Sequence, residues 1–480
     1  MLGRKPQHPA NPKGGKPLSA PAVKPVAPAP GSHALRLSAS HSSAGHEVPW
    51  TPAQFHVPPK AGLTRFHDLS LPDPILHAIA DQKFEYCTPI QAQILPALLA
   101  GRDAGGRAQT GTGKTAAFLI AIFTRLLRNP AGGQKRNGLP RALVIAPTRE
   151  LVLQIFKDAQ ALGKYCRFQN LAVFGGMDYK KQRDKLTGIA PDLIVATPGR
   201  LLDFMGNRYL NLGRVEVMVI DEADRMLDMG FIPDVKRIVY NLPPKDRRQT
   251  MLFSATLGQD IIRLASRWMQ DPVMIEAEAE RVTVDAIDQR VYVVSVKNKF
   301  ALLFNLLQRE PVERALIFRN RRDSVDRLAR KLALAGVACA QLSGEVPQEK
   351  RIRILDDFRA GKIRVVVATD VAGRGIHVDA ISHVFNYDVP VEAEDYVHRI
   401  GRTGRAGASG IAITFACEEG SFNLPVIEKF IGRALPCVQP EDNWLEIPEA
   451  LARQVAALVV SHRPRPVNFR HGGGRRIRRR

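Results

Sequence analysis

The chain has 480 residues, of which 45% are hydrophobic, and its formal net charge at pH 7 is +22. Much of that charge lies at the two ends: residues 1–60 hold seven Lys and Arg against the single acid Glu47, and residues 463–480 hold eight Arg and no acid. Basic ends favour a polyanionic partner, nucleic acid before membrane, because no basic amphipathic helix accompanies them. For the N-terminal arm, a purely solubilising role is an equally good interpretation.

The cysteines and the N-terminal composition exclude several classes of protein. The five cysteines are scattered and form no C-x-x-C pair, which argues against a zinc site and a disulfide framework and favours a reducing compartment. No apolar run is long enough to cross a bilayer. Eight prolines in the first 30 residues exclude the amphipathic helix of a transit peptide. We therefore expect a cytoplasmic protein.

The first half of the chain predicts a basic arm followed by an α/β lobe. Residues 1–60 are rich in Pro and Ala and predict a disordered arm. From residue 61 to 275, short β-rich runs alternate with helical stretches, which is typical of a doubly wound parallel sheet. Strands are predicted at residues 142–146, 193–196, 215–220 and 251–253.

The second half predicts another lobe of the same class. An acidic segment of poor periodicity, residues 276–286, predicts a linker. Residues 287–440 predict the second lobe, with strands at residues 315–318, 365–368, 383–386 and 411–415. Residues 441–480 form an extension with a possible helix at 449–460 and a disordered Arg-rich tail.

A glycine-broken loop at Ala108–Thr115 leads directly into a helical pattern. Gly111 and Gly113 allow several backbone N–H groups to point into one small space at a helix N-terminus, where an anion is favoured. Lys114 would reach the β and γ phosphates of a nucleotide, and the Thr115 hydroxyl would bind Mg²⁺. Glycine-rich turns before helices are common, but the adjacent Gly-Lys-Thr triplet favours a nucleotide site.

Two acids follow the predicted strand that ends at Ile220. Asp221 suits the water shell of a Mg²⁺ ion held by Thr115. Glu222 would orient and deprotonate the water that attacks the γ-phosphate. Acids after a strand often only cap a helix, but the phosphate loop upstream makes that alternative the weaker one.

Other polar clusters also follow predicted strands, where open α/β sheets bind ligands. Thr148-Arg149, Gly175-Gly176 and residues 197–200 offer groups suited to a sugar-phosphate backbone, although each alone is also ordinary turn chemistry. The run His398–Arg405 carries three arginines, which could stabilise a transferring phosphoryl group by roughly 10³ to 10⁵ in rate. Because this run lies in the second lobe, the ATP site would be completed only when the lobes close.

Together these motifs resemble the DEAD-box family of RNA helicases, in helicase superfamily two, over about residues 64–440. Ala108–Thr115 has the family's A-x-T-G-x-G-K-T form, and Asp221–Asp224 spells D-E-A-D. Six upstream residues resemble its adenine-recognising Q motif: Phe66, Phe84, Thr88, Pro89, Ile90 and Gln91. The resemblance implies two RecA-like lobes, ATP and Mg²⁺ as cofactors, and an RNA-stimulated ATPase.

The resemblance also implies roles in ATP chemistry. The Phe84 ring would stack on adenine, and Gln91 would hydrogen-bond its edge. The implied catalytic set is Lys114, Asp221, Glu222 and the arginine fingers Arg402 and Arg405. The implied ATP-binding set further includes Phe66, Thr88, Ala108, Gln109, Thr110, Gly111, Thr112, Gly113, Thr115 and His377.

Coupling and RNA binding are implied in the same way. Ser254 and Thr256 would couple hydrolysis to strand separation, and Asp224 would tie the first lobe to His398. RNA would contact Pro147, Thr148, Arg149, Gly176, Thr197 and Arg200 in the first lobe, and Asn320, Gly344, Gln348, Arg351, Thr369 and Arg374 in the second.

Two positions depart from the family pattern. Lys83 stands where the family usually has Gly, and His377 stands where most members carry an Asp that hydrogen-bonds the ribose, so nucleotide affinity or selectivity is expected to differ. With Ala416–Glu419 and Asn423–Glu428, His377 resembles the bacterial RhlB branch. That resemblance implies work beside an RNase E-type endoribonuclease in RNA degradation.

The leading hypothesis is an ATP-dependent RNA helicase that opens short duplexes by local strand separation, with a monomeric catalytic unit. An ATP-dependent RNA clamp that holds partners in place uses the same closed state and is the main alternative. A DNA translocase is disfavoured by the Q motif and by the spelling of Asp221–Asp224. The Arg-rich tail would add RNA affinity or a protein contact.

Overall fold

The computed structural model describes residues 50–107, 112–130, 136–276, 287–373, 378, 381–404 and 410–461, with side chains to residue 458. These residues belong to one compact unit that begins at Trp50. The unit contains two seven-stranded sheets in which every strand pairing is parallel. Among the described residues, no helix has both the length and the apolar character needed to span a membrane.

The first lobe is built on a sheet with the strand order β3-β4-β2-β5-β6-β1-β7. Its strands are β1 Ala104–Arg107, β2 Ala142–Ile145, β3 Asn170–Val173, β4 Leu193–Ala196, β5 Val217–Ile220, β6 Gln249–Ser254 and β7 Val273–Glu276. Its helices are α1 Asp73–Asp81, α2 Pro89–Leu99, α3 Lys114–Arg128, α4 Arg149–Leu162, α5 Tyr179–Gly188, α6 Pro198–Gly206, α7 Ala223–Asp228, α8 Ile232–Tyr240 and α9 Gln259–Trp268.

The second lobe is built on a sheet with the order β10-β11-β9-β12-β13-β8-β14. Its strands are β8 Ile287–Val293, β9 Ala315–Phe318, β10 Cys339–Leu342, β11 Val365–Ala368, β12 His383–Asn386, β13 Gly410–Ala416 and β14 Cys437–Val438. Its helices are α10 Lys299–Arg309, α11 Arg322–Leu334, α12 Gln348–Arg359, α13 Asp370–Gly373, α14 Ala393–Ile400, α15 Leu424–Ile431 and α16 Glu449–Ser461.

The two lobes share one topology, because the second strand order repeats the first when each number is lowered by seven. Helices on both faces explain why the central strands are buried throughout. In β2, Ala142 and Val144 enter one core cluster while Leu143 and Ile145 enter the other, as the period of a strand requires. The predicted fold of two RecA-like, doubly wound parallel lobes is therefore confirmed.

The periodicity predicted eight hydrophobic strands of the two sheets and missed the other six, β1, β3, β7, β8, β10 and β14. Strand β1 lies between β6 and β7, but its sequence Ala-Gly-Gly-Arg is not typical of a strand. Packing explains the glycines: a Cβ at Gly105 would lie 2.6 Å from Met274 Sδ, and one at Gly106 would lie 3.1 Å from the Phe253 ring. Strands β3, β7, β10 and β14 are the edge strands of the two sheets and are incompletely buried, so their hydrophobic signal is weak.

Order begins earlier than the predicted arm boundary at residue 60. Trp50 stacks on His77 with ring centroids 4.4 Å apart, and Phe55 stacks on His67 at 4.8 Å. These aromatic contacts supply the apolar packing that a Pro-rich stretch otherwise lacks. Residues 1–49 lie outside the described part of the chain.

The other predicted boundaries also change. Glu276 closes strand β7, so it is not part of the linker, and residues 277–286 lie outside the described residues. The extension after residue 440 packs on the second lobe: Trp444 lies 6.0 Å from the Tyr292 ring, and Asn305 Nδ2 donates to the Trp444 carbonyl at 2.9 Å. Helix α16 forms where the helix was predicted, and the Arg-rich tail lies outside the described residues.

Candidate functional site

The start of α3 carries the end of the predicted phosphate loop. Gly113 is the N-cap residue and has a φ of +89°, a left-handed conformation that favours glycine. A Cβ there would lie 2.5 Å from the Gln91 side-chain nitrogen. Lys114 and Thr115 are the first residues of the helix, so the positive end of its dipole faces the loop. Four loop residues lie outside the described part: Ala108, Gln109, Thr110 and Gly111.

A buried ion pair joins this loop to the strand-tip acids. Lys114 Nζ lies 2.9 Å from Asp221 Oδ1, and the two side chains are 4% and 0% exposed. Burial by itself would lower the pKa of Lys114, but the carboxylates of Asp221 and Glu222 hold that pKa above its ordinary value. Burial raises the pKa of Asp221, and the Lys114 ammonium opposes the rise. The phosphate loop and the D-E-A-D residues thus meet, although β6 lies between β1 and β5.

One oxygen of Asp221 is suited to a cation. Its Oδ2 atom is buried and has no hydrogen-bond partner among the described residues. A buried, unsatisfied carboxylate oxygen is costly, and a Mg²⁺ ion or a water of its shell would satisfy it. Thr115, half-buried in the first turn of α3, supplies the hydroxyl of the predicted metal site. These residues fit a Mg²⁺ ion that arrives with nucleotide phosphates.

Glu222 occupies a strained turn beside this pair. It is the N-cap residue of α7, with φ of 56° and ψ of 55°, a left-handed conformation that costs a non-glycine residue roughly 1–2 kcal/mol. Its backbone N–H donates to Asp221 Oδ1 at 3.0 Å, and its Oε2 accepts from Arg225 Nη1 at 3.0 Å. Residues held in such conformations by their surroundings are concentrated at active sites.

The Q-motif polar residues hold the phosphate loop. Thr88 Oγ1 donates to the Thr112 carbonyl at 2.8 Å, and Gln91 Nε2 donates to the Gly113 carbonyl at 2.9 Å. Gln91 Oε1 accepts from the Thr88 N–H at 2.9 Å, which completes a capping box at the start of α2. Both ends of the Gln91 amide are engaged by the protein in this conformation. The second N–H of Nε2 and the second lone pair of Oε1 are not used by these bonds, so the amide can also bind adenine.

The aromatic residues of the same motif lie in different environments. Phe84 is 38% exposed, so its ring is accessible for stacking. Phe66 is completely buried in the core of the first lobe, and a side chain without exposed surface cannot contact ATP in this conformation. In this conformation Phe66 packs in that core, and its place in the ATP site stays a prediction. Lys83, the departure from the family's glycine, adopts a φ of 57°.

The predicted coupling residues form one cluster within the first lobe. Asp224 Oδ2 accepts from the N–H groups of Ala255 and Thr256 at 2.9 and 3.1 Å, and Asp224 N–H donates to Ser254 Oγ at 3.2 Å. The hydrogen bonds described for the Asp224 side chain therefore join D-E-A-D to the end of β6. They do not include a bond to His398, and the tie of Asp224 to the His398 cluster stays a prediction.

The predicted RNA contacts of the first lobe include three exposed or half-buried positions that lie together. A Cβ at Gly176 would lie 2.1 Å from Arg149 Nη1, so glycine is required for Arg149 to occupy its position. The Arg200 guanidinium lies over the Tyr179 ring at 5.2 Å, and its buried Nη1 has no hydrogen-bond partner among the described residues. Burial lowers the pKa of Arg149, and the nearby guanidinium of Arg200 adds to the effect.

The other predicted RNA contacts of this lobe serve the backbone. Thr148 Oγ1 accepts from the Leu151 N–H at 3.3 Å and caps α4, and it is 7% exposed. Pro147 is buried, whereas Thr197, the N-cap residue of α6, is half-buried and has no side-chain capping bond. The α4 cap therefore explains Thr148 without RNA.

In the second lobe, Gln348 and Arg351 contact the first lobe. Arg351 Nε donates to Glu150 Oε1 at 2.8 Å, and its Nη1 and Nη2 donate to the carbonyls of Ser343 and Ala372 at 3.1 and 3.4 Å. Gln348 exchanges bonds of 3.3 Å with Arg149 and Glu150. These side chains are 4% and 7% exposed, so they are interlobe contacts in this conformation, and their contact with RNA stays a prediction.

Two of the remaining second-lobe candidates, Asn320 and Thr369, lie beside the contacts of one arginine that the sequence did not single out. Arg399 is 1% exposed; it donates to both oxygens of Asp370 at 2.6 and 2.7 Å and to Asn320 Oδ1 at 2.7 Å. Thr369 directly precedes Asp370 and is buried, while Gly344 and Asn320 are exposed. Arg399 lies inside the predicted His398–Arg405 run, but only its contacts distinguish it from its neighbours.

The predicted arginine fingers are only partly described. Arg402 is 4% exposed, and its Nε donates to the His398 carbonyl at 3.1 Å. That bond holds Arg402 close to the end of α14 in the second lobe. Three predicted site residues of the second lobe lie outside the described part: Arg374, His377 and Arg405.

Comparison with known proteins agrees with this geometry. The DEAD/DEAH box helicase family matches residues 88–264, and the helicase conserved C-terminal domain matches residues 298–407. The chain is 56% identical to the ATP-dependent RNA helicase RhlB of Pseudomonas aeruginosa over 390 residues, covering 81% of this chain and 98% of that protein, and 54% identical to RhlB of Pseudomonas putida over the same length.

Solved structures show the same similarity. Dbp5 of S. cerevisiae bound to RNA and ADP BeF3 is 32% identical, with a TM-score of 0.71, covering 82% of this chain and all of that one. Mss116 bound to ssRNA and UDP-BeF is 26% identical, with a TM-score of 0.72, covering 82% and 81%.

Proposed function

Since the chain belongs to the DEAD-box family of ATP-dependent RNA helicases, on its RhlB-like branch, we propose that it opens short RNA duplexes by local strand separation. The observation that carries the proposal is the buried Lys114–Asp221 pair with Glu222 beside it, in a unit whose lobes are joined by α4 and α12. ATP hydrolysis at this site in the first lobe would change the contacts with the second lobe. An RNA strand that is held bent across the two lobes would then be released.

ATP would bind with its phosphates at the α3 N-terminus and its base near Phe84. Lys114 would leave its ion pair with Asp221 and bind the phosphates. The unpaired Oδ2 of Asp221, together with the Thr115 hydroxyl, would hold Mg²⁺. The metal would neutralise phosphate charge, Glu222 would take the proton of the attacking water, and Arg402 would stabilise the transferring group when the lobes are closed.

RNA would bind along Arg149, Gly176 and Arg200 and continue to Asn320 and Thr369 of the second lobe. These groups suit phosphate and sugar, so we infer little sequence preference and a strong dependence on salt. Support for RNA as the ligand comes from the RNA-bound structures of Dbp5 and Mss116, which this chain resembles. RNA would also compete with Glu150 for Arg351, because the Nε of that side chain donates to Glu150 in this conformation.

We further propose a role in bacterial RNA degradation beside an RNase E-type endoribonuclease, in the cytoplasm, supported by the similarity to RhlB proteins. The second candidate function is an RNA clamp with incidental unwinding. It is favoured by the same interlobe contacts, which would stabilise a long-lived closed state.

The experiment that tests the helicase proposal is ATP hydrolysis with and without single-stranded RNA, combined with unwinding of short and long duplexes. Glu222→Gln should abolish both activities while leaving ATP binding intact, because the amide cannot accept the water proton. Glu276→Gln, a 65% exposed residue of the same lobe, is the matched control and should change neither. RNA-stimulated turnover without unwinding, together with slow RNA release, would support the clamp instead.

A further inference from the structure

We propose that Arg225 is a positioning residue that holds Glu222 in working geometry only while the second lobe is docked. The inference rests on the ATP-hydrolysis role given to Glu222 under the proposed function, and it assigns a new role to the residue after D-E-A-D. Arg225 is 6% exposed and lies in α7, three residues after Glu222.

The first observation is the ion pair between Arg225 and Glu222. Arg225 Nη1 lies 3.0 Å from Glu222 Oε2, and the two side chains are 7% and 9% exposed. Glu222 is in a left-handed backbone conformation, so its side chain leaves the chain in a direction that ordinary helix or strand geometry does not allow. A charge-assisted bond in a water-poor place restricts the carboxylate to one orientation.

The second part is a contact across the lobes. Arg225 Nη2 donates to the backbone carbonyl of Val371, in α13 of the second lobe, at 3.4 Å. The guanidinium therefore touches the proton acceptor of one lobe and the backbone of the other through its two terminal nitrogens. If the second lobe moves away, Arg225 loses one of its two partners and becomes free to turn with Glu222.

Helix α13 contacts residues that are predicted to bind RNA in the second lobe. Asp370, next to Val371, is held by Arg399, which also holds the predicted RNA contact Asn320. On the other side, the Ala372 carbonyl accepts from Arg351. Arg225 contacts the carbonyl of Val371. If RNA moves Asn320 or Arg351, the contacts of Asp370 or Ala372 on either side of Val371 therefore change.

Only arginine suits this position. Its planar fork presents N–H groups in two fixed directions, so one side chain can hold Glu222 and Val371 at the same time. A lysine keeps the charge and can pair with Glu222, but its single nitrogen on a flexible stem cannot span both partners. Arg225→Lys therefore separates the interlobe role from the charge.

The test measures kcat and KM for ATP with and without single-stranded RNA in the full-length chain and in Arg225→Lys and Arg225→Gln. The control is Arg237→Lys, because Arg237 forms an i,i+3 pair with Asp234 on α8 but is 69% exposed. We expect RNA-stimulated kcat to fall on the order of 10-fold in Arg225→Lys, a part of the 10² to 10⁴ that a positioned base contributes. The KM for ATP and the Kd for RNA should change less than about twofold, and Arg237→Lys should behave as wild type.

The ratio of kcat with RNA to kcat without RNA decides the question. A ratio that falls in Arg225→Lys at unchanged KM and Kd supports the inference. A ratio that stays at the wild-type value while both rates fall together shows a purely structural role, and a weakened RNA affinity at unchanged kcat shows a binding role; either result overturns the inference. A wild-type chain that RNA does not stimulate would instead refute the proposed function itself.

Discussion

The interlobe ion pair between Glu150 and Arg351 allows the energy of lobe docking to be tested in isolation. Glu150→Gln keeps the size of the side chain and one acceptor for Arg351 Nε, but it removes the charge from a pair whose atoms are 2.8 Å apart and whose side chains are each 9% exposed. Hydrogen bonds to charged groups contribute about 1.5–3 kcal/mol, against about 1 kcal/mol for neutral ones. The substitution should therefore weaken docking by about 0.5–2 kcal/mol, which is roughly 2- to 30-fold in the equilibrium.

The loss should appear as lobe separation and not as unfolding. Arg351 can regain water when the lobes part, so the larger penalty of about 3–5 kcal/mol for an unpaired buried charge does not apply to the folded lobes. The fold of α4 should lose only the favourable charge in its first helical turn, about 0.3–1 kcal/mol. Thermal unfolding of each lobe should accordingly stay close to wild type.

The assay is energy transfer between dyes on Cys437 and on a cysteine introduced at Tyr240, which are exposed in the second and the first lobe. The RNA-free Glu150→Gln chain should show a smaller high-transfer population than wild type, and Glu349→Gln, an exposed acid of α12, should show none of this loss. A docked fraction in Glu150→Gln equal to that of the control would refute the reasoning. It would mean that the pair adds nothing to docking.

Two further predictions concern the phosphate loop and the thiols. Gly113→Ala should abolish ATP binding, measured by calorimetry, because the residue has a φ of +89° and its Cβ would lie 2.5 Å from Gln91 Nε2; unchanged affinity would contradict the geometry. Burial raises the pKa of the Cys87 and Cys166 thiols to about 12, so roughly one molecule in 10⁴ or fewer carries either thiolate at pH 7.5. A maleimide should label exposed Cys437 first, and Cys437→Ser should remove that fast phase.

Part of the site could be predicted from the sequence because its reacting residues are neighbours in the chain. Lys114 and Thr115 follow a glycine at the start of a helix, and Asp221 and Glu222 follow a buried strand, so sequence neighbours alone bring the reacting groups to the sheet edge. The same locality explains why the two α/β lobes were predicted from alternating hydrophobic runs. Strand β1 was not predicted, because packing against the distant residue Met274 requires glycines, and glycines are not typical of a strand.

The sequence by itself thus determined the two lobes and the family, together with the residues that stand at the tips of its strands. Only the tertiary structure decided which side chains contact one another across the chain. Arg351 meets Glu150 over a separation of 201 residues, Arg225 meets Val371 over 146, and Phe66 lies inside the core. The physical reason is that hydrophobic period and helix capping act over a few residues, whereas burial and ion pairing depend on which surfaces the finished lobes present to each other.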